Sequence, residues 1–590
     1  MVELPLFFKC MRRIFLLFAF VFASVGGAIA DEISSATALR IASEALRIEP
    51  TRSCEMMVAW DSNALTATRS GSSVPSFYVV AEESGRGFVV VAGDDAISPI
   101  LAYSTEYPAP DFESMHPALE GWFRSVDKAV RYARLSNLAP DASTAQMWAR
   151  PSVATSSIRL NTARWSQYLP YNKYCPLDGD LLSLTGCTQT AMAEIMHYYK
   201  WPERAKGTTE PFTTITKGIE VGSRDLNHSY DWANMLDEYV DGKYNDAEGD
   251  AVAVLMADLG HAFKADYASE ATGALPDAVT MFEKFGYSPA CHYIMRDGFT
   301  QDGWNAILRS EIESSRPVFY SGYTADNFGH AFVLDGVDDD DYFHTNWGWG
   351  GVGNGFFKLD ALVLNEYIFD TMHWAFLGIH PLRSGEADNL LYVGAPGISI
   401  SQTEFAEDEP FMVEGVSIVN PSVLDFSGEV RFGVSDIDGD FKSWASEAIA
   451  FELPTMYGTS VVDVEVVVEE KIVSGDRLRV FFRSSDGKEW HPMLPYQEGA
   501  RYEVVLKYPS IGETTSLSFD KSTELVTVRY EDNVDASLQL LGEDIESGVE
   551  KSKGRMIINT KHLKKGTTYT IYLEREDGEA KIVMFALKDM

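Results

Sequence analysis

The spacing of apolar residues along this chain changes period from one stretch to the next, and each change marks a different architecture. Residues 34–47 follow a helical period. Phe77-Tyr78-Val79-Val80 and Phe88-Val89-Val90-Val91 then read as two strands of a hairpin turning through Glu83-Ser84-Gly85-Arg86-Gly87. From 117 to 136, Leu119, Trp122, Phe123, Val126, Val130 and Ala133 recur at helical spacing and predict one buried stripe. Together these make a small α+β domain. Ala139 to Ser157 shows no period, and its Pro and Ser residues predict an exposed linker open to proteolysis.

Residues 158–383 begin helical and end in strands. The run Cys187 to Tyr199 puts Ala191, Met192, Ile195, Met196 and Tyr199 on one face before Pro202 stops it, and further helices are predicted near 249–265 and 275–285. Pro317 to Tyr320, His330 to Val337, Tyr342 to Trp347 and Phe356 to Leu359 predict strands. Beyond about 388 helix signals fade. Short alternating segments at 463–469, 477–483, 502–507, 525–530 and 568–573 predict two antiparallel β-sandwich units, divided near 510–515.

At 590 residues the chain exceeds one hydrophobic core, and about 150 residues per domain suggests about four units. The domains expected are 31–150, 151–385, 386–510 and 511–590. Residues 1–30 read as an export signal: Arg12 and Arg13 precede an apolar run to about Val25, and Ala28-Ile29-Ala30 supplies small residues for cleavage. A hydrophobic content of 45% gives no ground for large-scale disorder. The net charge of -38 argues against capture of nucleic acid, whose phosphates it would repel. Five cysteines are too few for a disulfide scaffold, although a Cys175–Cys291 bridge remains open. The acidic run Asp338 to Asp341 reads as a hairpin tip rather than a metal site.

One pair of residues carries nucleophilic chemistry. Cys187 follows Gly186 at the mouth of a predicted helix, where the partial positive charge of the helix end favours thiolate over thiol. His330 opens an apolar strand behind Gly329 and is the candidate base. His197 lies ten residues along the helix, about 15 Å from Cys187 at 1.5 Å per residue, too far to serve. His344 is the second choice. The hairpin turning near Asp339 brings Asn346 back toward His330, where its amide oxygen is placed to hold the imidazole, with Trp347 and Trp349 as cover. Gln167 offers a side-chain amide to a developing oxyanion, with the Cys187 backbone N–H as partner. Neither cofactor nor metal is needed for this chemistry. Two other readings stay open on these residues: a surface adhesin whose protease-like domain is a scaffold, and a thiol acyltransferase or amidase.

Trp165-Ser166-Gln167 with Pro170, Asn172, Cys175 and Pro176, then Gly186 to Ala191, Gly329 to Gly336, and Asn346 to Gly351 with Gly355-Phe356-Phe357, together resemble the streptopain family of secreted bacterial cysteine proteases. The resemblance spans roughly 158–383, and residues 75–104 look like that family's inhibitory propeptide. It implies a papain-like catalytic domain made as a zymogen, with Cys187 as nucleophile, His330 as base and acid, Gln167 as oxyanion donor, and Asn346 and Trp347 as orienting group and cover. It also implies protein substrates with a bulky apolar residue two positions before the scissile carbonyl. Gly329, Gly273 and Ala274 would line the substrate cleft. The β-rich tail is similar to those of homologues from the Bacteroidetes, in which the last module often serves secretion or surface attachment. Membrane contact is expected only through that module.

Overall fold

The structure is a computed structural model that describes residues 32–46, 55–65, 74–153, 156–323, 329–359, 363–364, 367–368, 371–382, 391–402, 405, 408–437, 439–473, 475–497, 499–507, 515–530, 534–540, 543–575 and 580–586. The expected export signal, Cys54 and the boundaries expected at 385/386 and 510/511 lie outside these residues. Two compact units divide after Asp388.

Helices of the first unit start and stop where local chemistry dictates. Helix α1 (Ser35–Ala45) is capped by Ser34, whose hydroxyl accepts the Thr37 N–H. Strands β1 (Met56–Asp61), β2 (Phe77–Glu82), β3 (Phe88–Ala92) and β4 (Ile100–Ser104) form an antiparallel meander. Helix α2 (Pro117–Leu135) opens on a proline, whose missing N–H costs nothing at that position, and the predicted stripe from Leu119 to Ala133 is buried. Within the expected exposed linker lies a helix the apolar pattern did not announce, α3 (Ala142–Ala149), which Asp141 caps by accepting the Thr144 N–H at 2.7 Å. Trp148 is tied down as well, its Nε1–H donating to the Ile97 carbonyl at 2.8 Å, and Val153 is buried. Strand β5 (Ser157–Arg159) ends this connection.

The region after β5 contributes α4 (Cys187–Tyr199), α5 (Asp246–Ala262) with an Asn245/Glu248 capping box, and α6 (Ala278–Phe285) closed by left-handed Gly286. Its strands are β6 (His292–Met295), β7 (Val318–Tyr323), β8 (Gly329–Asp338), β9 (Tyr342–Asn346), β10 (Gly355–Lys358) and β11 (Thr371–Leu377), with α7 (Gln301–Glu313) before β7. Buried side chains of α4 and α5 share a core with Phe319, Ala331, Val333 and Phe376 of the sheet.

A single 11-stranded sheet runs β1-β2-β3-β4-β10-β9-β8-β7-β11-β6, with β5 paired to β8, so the N-terminal meander and strands β6 to β11 are continuous. The join is β4 against β10, with Tyr103 opposite Phe356 and Ala102 opposite Phe357. Tyr103 stacks on Phe356 at 5.1 Å and donates its hydroxyl to Asp338 at 2.7 Å, while Trp122 meets Phe357 edge-on at 5.0 Å. The open question of a Cys175–Cys291 bridge is answered against it. Neither is in a disulfide; both are buried, and the Cys291 thiol donates to the Gly378 carbonyl at 3.2 Å.

The second unit is all-β among the described residues. Residues 391–507 form a four-stranded and a six-stranded antiparallel-rich pair of sheets, and 515–586 form two four-stranded sheets around Val528, Leu538, Met556, Ile558, Ile571 and Leu573. Among the described residues, no helix is long and apolar enough to cross a membrane.

Candidate active site

Backbone conformation sets the nucleophile. Gly186 precedes α4 at φ 92, a left-handed value that favours glycine. A Cβ there would lie 2.8 Å from the Thr272 carbonyl oxygen. Cys187 is therefore the first helical residue, and the N–H groups of Ala331, Thr188 and Cys187 itself are directed at its sulfur. The first of these comes from β8, at the residue after His330. Burial pushes the thiol above its usual range, and those N–H groups pull it back only in part.

His330 sits opposite Gly322 in the β7–β8 ladder and is buried. Its Nε2 lies 3.0 Å from the Trp347 carbonyl oxygen, an arrangement in which Nε2–H donates to that carbonyl. This corrects the expectation that the Asn346 carboxamide holds the ring. Asn346 opposes Val333, and its amide is engaged elsewhere. Nδ2 donates to Thr162 Oγ1 at 3.0 Å and to the Ala163 carbonyl at 2.7 Å, while Oδ1 accepts from Gly348 N–H and Asn354 Nδ2. Asn346 thus pins the turn from which the Trp347 carbonyl projects. His344, the second-choice base, pairs with buried Asp335.

Aromatic cover is present, with a different residue closest. Trp349 stacks on His330 at 4.5 Å, whereas the Trp347 ring stands 6.3 Å away and packs on Phe332 at 4.8 Å. His116, from the segment before α2, stacks on Trp349 at 3.7 Å and lies 5.4 Å from the His330 ring. Burial first, then the His116 imidazole, pushes His330 down to about 3 against the pull of the Trp347 carbonyl, and burial pushes His116 to about 4. At neutral pH both rings are uncharged. Sequence reasoning missed His116, since nothing local marks a histidine that a distant strand pairing delivers.

Gln167 is buried, and the Thr185 N–H donates to its backbone carbonyl at 3.2 Å, which sets it beside the segment leading into Cys187. The loop at Thr272 to Ala274 reaches the same helix start: Thr188 Oγ1 donates to the Ala274 carbonyl at 2.8 Å. Gly273 is exposed and bridges Asp266. Gly329 faces the Tyr323 ring, where an added Cβ would stand 2.9 Å from a ring carbon. Among the described residues no group of acids, histidines or cysteines could hold a metal ion.

The peptidase C10 family model matches residues 165–357, and the Spi protease inhibitor family matches residues 30–130. Streptopain of Streptococcus pyogenes is 32% identical over 314 residues, an alignment covering 50% of this chain and 75% of streptopain. The thiol protease/hemagglutinin PrtT of Porphyromonas gingivalis is 30% identical over 454 residues, covering 74% of this chain and 51% of that protein. A solved prointerpain A fragment from Prevotella intermedia is 28% identical, covers 56% of this chain and 100% of its own, and superimposes with a TM-score of 0.46. With its papain-like catalytic region and an inhibitor-like N-terminal domain, the chain belongs to the peptidase C10, or streptopain, family of cysteine peptidases.

Proposed function

We propose that this chain is an exported cysteine endopeptidase made as a zymogen and held latent by its own N-terminal domain. The observation that carries the reading is Cys187 at the start of α4, packed against the core that includes Ala331, the residue after His330 on β8. Latency is supported by the same surroundings. His116 stacks on Trp349, which itself stacks on His330, and a half-buried neutral thiol with a buried neutral imidazole is the inactive protonation state of the pair.

Once that cover leaves, hydration lowers the cost of charge, and the proton passes from the thiol to His330. The thiolate attacks the scissile carbonyl carbon. The resulting oxyanion accepts hydrogen bonds from the Gln167 carboxamide and the Cys187 backbone N–H. The imidazolium gives its proton to the leaving amine, forming an acyl-enzyme, and a water deprotonated by His330 then hydrolyses the thioester and regenerates the thiol. The Trp347 carbonyl keeps the ring in one orientation throughout, and Trp349 shields it. Gly329 and the loop at Gly273 and Ala274 flank the cleft, and a bulky apolar residue two positions before the scissile bond is the preferred substrate feature.

Maturation is tested by intact mass and N-terminal sequencing of purified wild type beside Cys187→Ala. Wild type is expected to lose its N-terminal domain by a cut within 139–157, after Trp148 or Ala154, while Cys187→Ala stays whole until active enzyme is added. Equal processing of purified Cys187→Ala would refute self-activation.

A further inference from the structure

Glu194 has no part in the mechanism above, yet it is the buried acid of the helix that carries the nucleophile. It follows Cys187 by seven residues, close to two helical turns, so both side chains leave the same face of α4. We propose that Glu194 is a positioning residue that fixes the oxyanion-donor segment, Trp165 to Gln167, against the Cys187 helix. The inference rests on the peptidase reading.

Glu194 is 0% exposed, and its Oε1 accepts the Trp165 backbone N–H at 2.9 Å. Trp165 is equally buried, and its carbonyl accepts the Gly350 N–H at 2.7 Å. One peptide unit on each side of Trp165 thus ties the nucleophile helix to the turn whose Trp349 stacks on His330. Gln167 follows two residues later. Its own carbonyl is held by Thr185, so the placement of its side chain depends on how Trp165 and Thr185 are spaced. Without the Glu194 acceptor, the Trp165 N–H would be a buried donor with no partner on α4, and the segment would shift to find one.

The charge state fits a fixed structural acceptor. Burial above all, with Asp335 nearby, raises the Glu194 carboxyl well above the usual range, partly offset by the Trp165 N–H and the Asn346 amide. Asp335 is the ionised member of this neighbourhood. Burial alone would raise it, but His344, Arg159 and the Thr162 hydroxyl hold it below the usual range. A protonated Glu194 is isosteric with glutamine, which makes the proposal separable from a charge effect.

The test uses full-length Glu194→Met, which keeps volume but removes the acceptor, and Glu194→Gln, which keeps it. Each is matured by immobilised active enzyme, with Cys187→Ala alongside. Peptide hydrolysis reports the oxyanion site, whereas alkylation of Cys187 by iodoacetamide reports the thiolate without it. Glu194→Met is expected to lower kcat about 10- to 100-fold with KM and alkylation rate within about threefold of wild type. Glu194→Gln is expected to restore kcat to within about threefold with an unchanged pH profile. Wild-type kcat in Glu194→Met, a parallel fall in kcat and alkylation, or a Gln variant as poor as Met would each overturn the proposal. If Glu194→Met does not fold, the Gln profile decides alone: loss of a limb between pH 5 and 9 that wild type shows would overturn it, and superimposable profiles would support it. Activity retained by Cys187→Ala would instead sink the peptidase reading itself.

Discussion

Gly186 is the residue on which the geometry of the nucleophile turns. Any side chain there meets the Thr272 carbonyl and must hold φ 92 against the roughly 1–2 kcal/mol cost of left-handed backbone. Gly186→Ala is expected to destabilise the catalytic unit by about 2 kcal/mol or more and to cut kcat, read by denaturant midpoint and peptide hydrolysis. Asn346 acts at one remove. Asn346→Ala strips partners from the Gly348 N–H and the Asn354 amide, each costing about 1–3 kcal/mol when buried, so a lowered melting temperature is expected with the loss of activity. Cys187 and His330 were legible as the candidate pair from residue type and spacing because glycine, helix start and apolar strand are local signals. The acceptor for the His330 ring was not, because it is the backbone carbonyl of Trp347, and a carbonyl carries no side-chain signature.

At the scale of elements, the helical stripes and the β8–β9 hairpin followed from period alone. Helix α3 was missed although Asp141 was in place to cap it, because no residue of that helix is buried and so no apolar period announces it. Helix α7 buries only Trp304, Leu308, Ile312 and Asn305, a stripe too narrow to read before its partners are known. The pairing of β4 with β10 joins segments from opposite ends of the unit, and no local pattern encodes it. It has a consequence for pH. His330 and His116 are held neutral at about 3 and about 4, whereas a solvated imidazole titrates near 6.5. A depressed histidine favours the docked form fully above its free value, and that advantage fades as pH falls from about 6.5 toward the docked values, since the separated form takes up the protons. Each imidazole freed on separation weakens docking by about 1.4 kcal/mol per pH unit over that window. Maturation of the purified zymogen is therefore expected to quicken between pH 7 and pH 5, and His116→Phe to flatten that dependence. A rate independent of pH in wild type would count against the stacked imidazoles as a latch.

On the scale of the whole molecule, the boundary after Asp388 separates the catalytic unit from the β-rich unit, and each has its own core. A chain ending at Asp388 is expected to fold, mature and hydrolyse peptides with kcat/KM within about threefold of full length, because each residue named in the mechanism lies before that boundary. Alternating strands made the all-β character of the tail plain in the sequence, while its role carries no chemical signature among its residues. Casein hydrolysis by matured wild type beside Cys187→Ala, matured in trans, asks whether sulfur 187 makes the first bond to substrate. Complete loss in the variant, with an unchanged melting temperature, is the expected result; hydrolysis at the wild-type rate without that sulfur would contradict it.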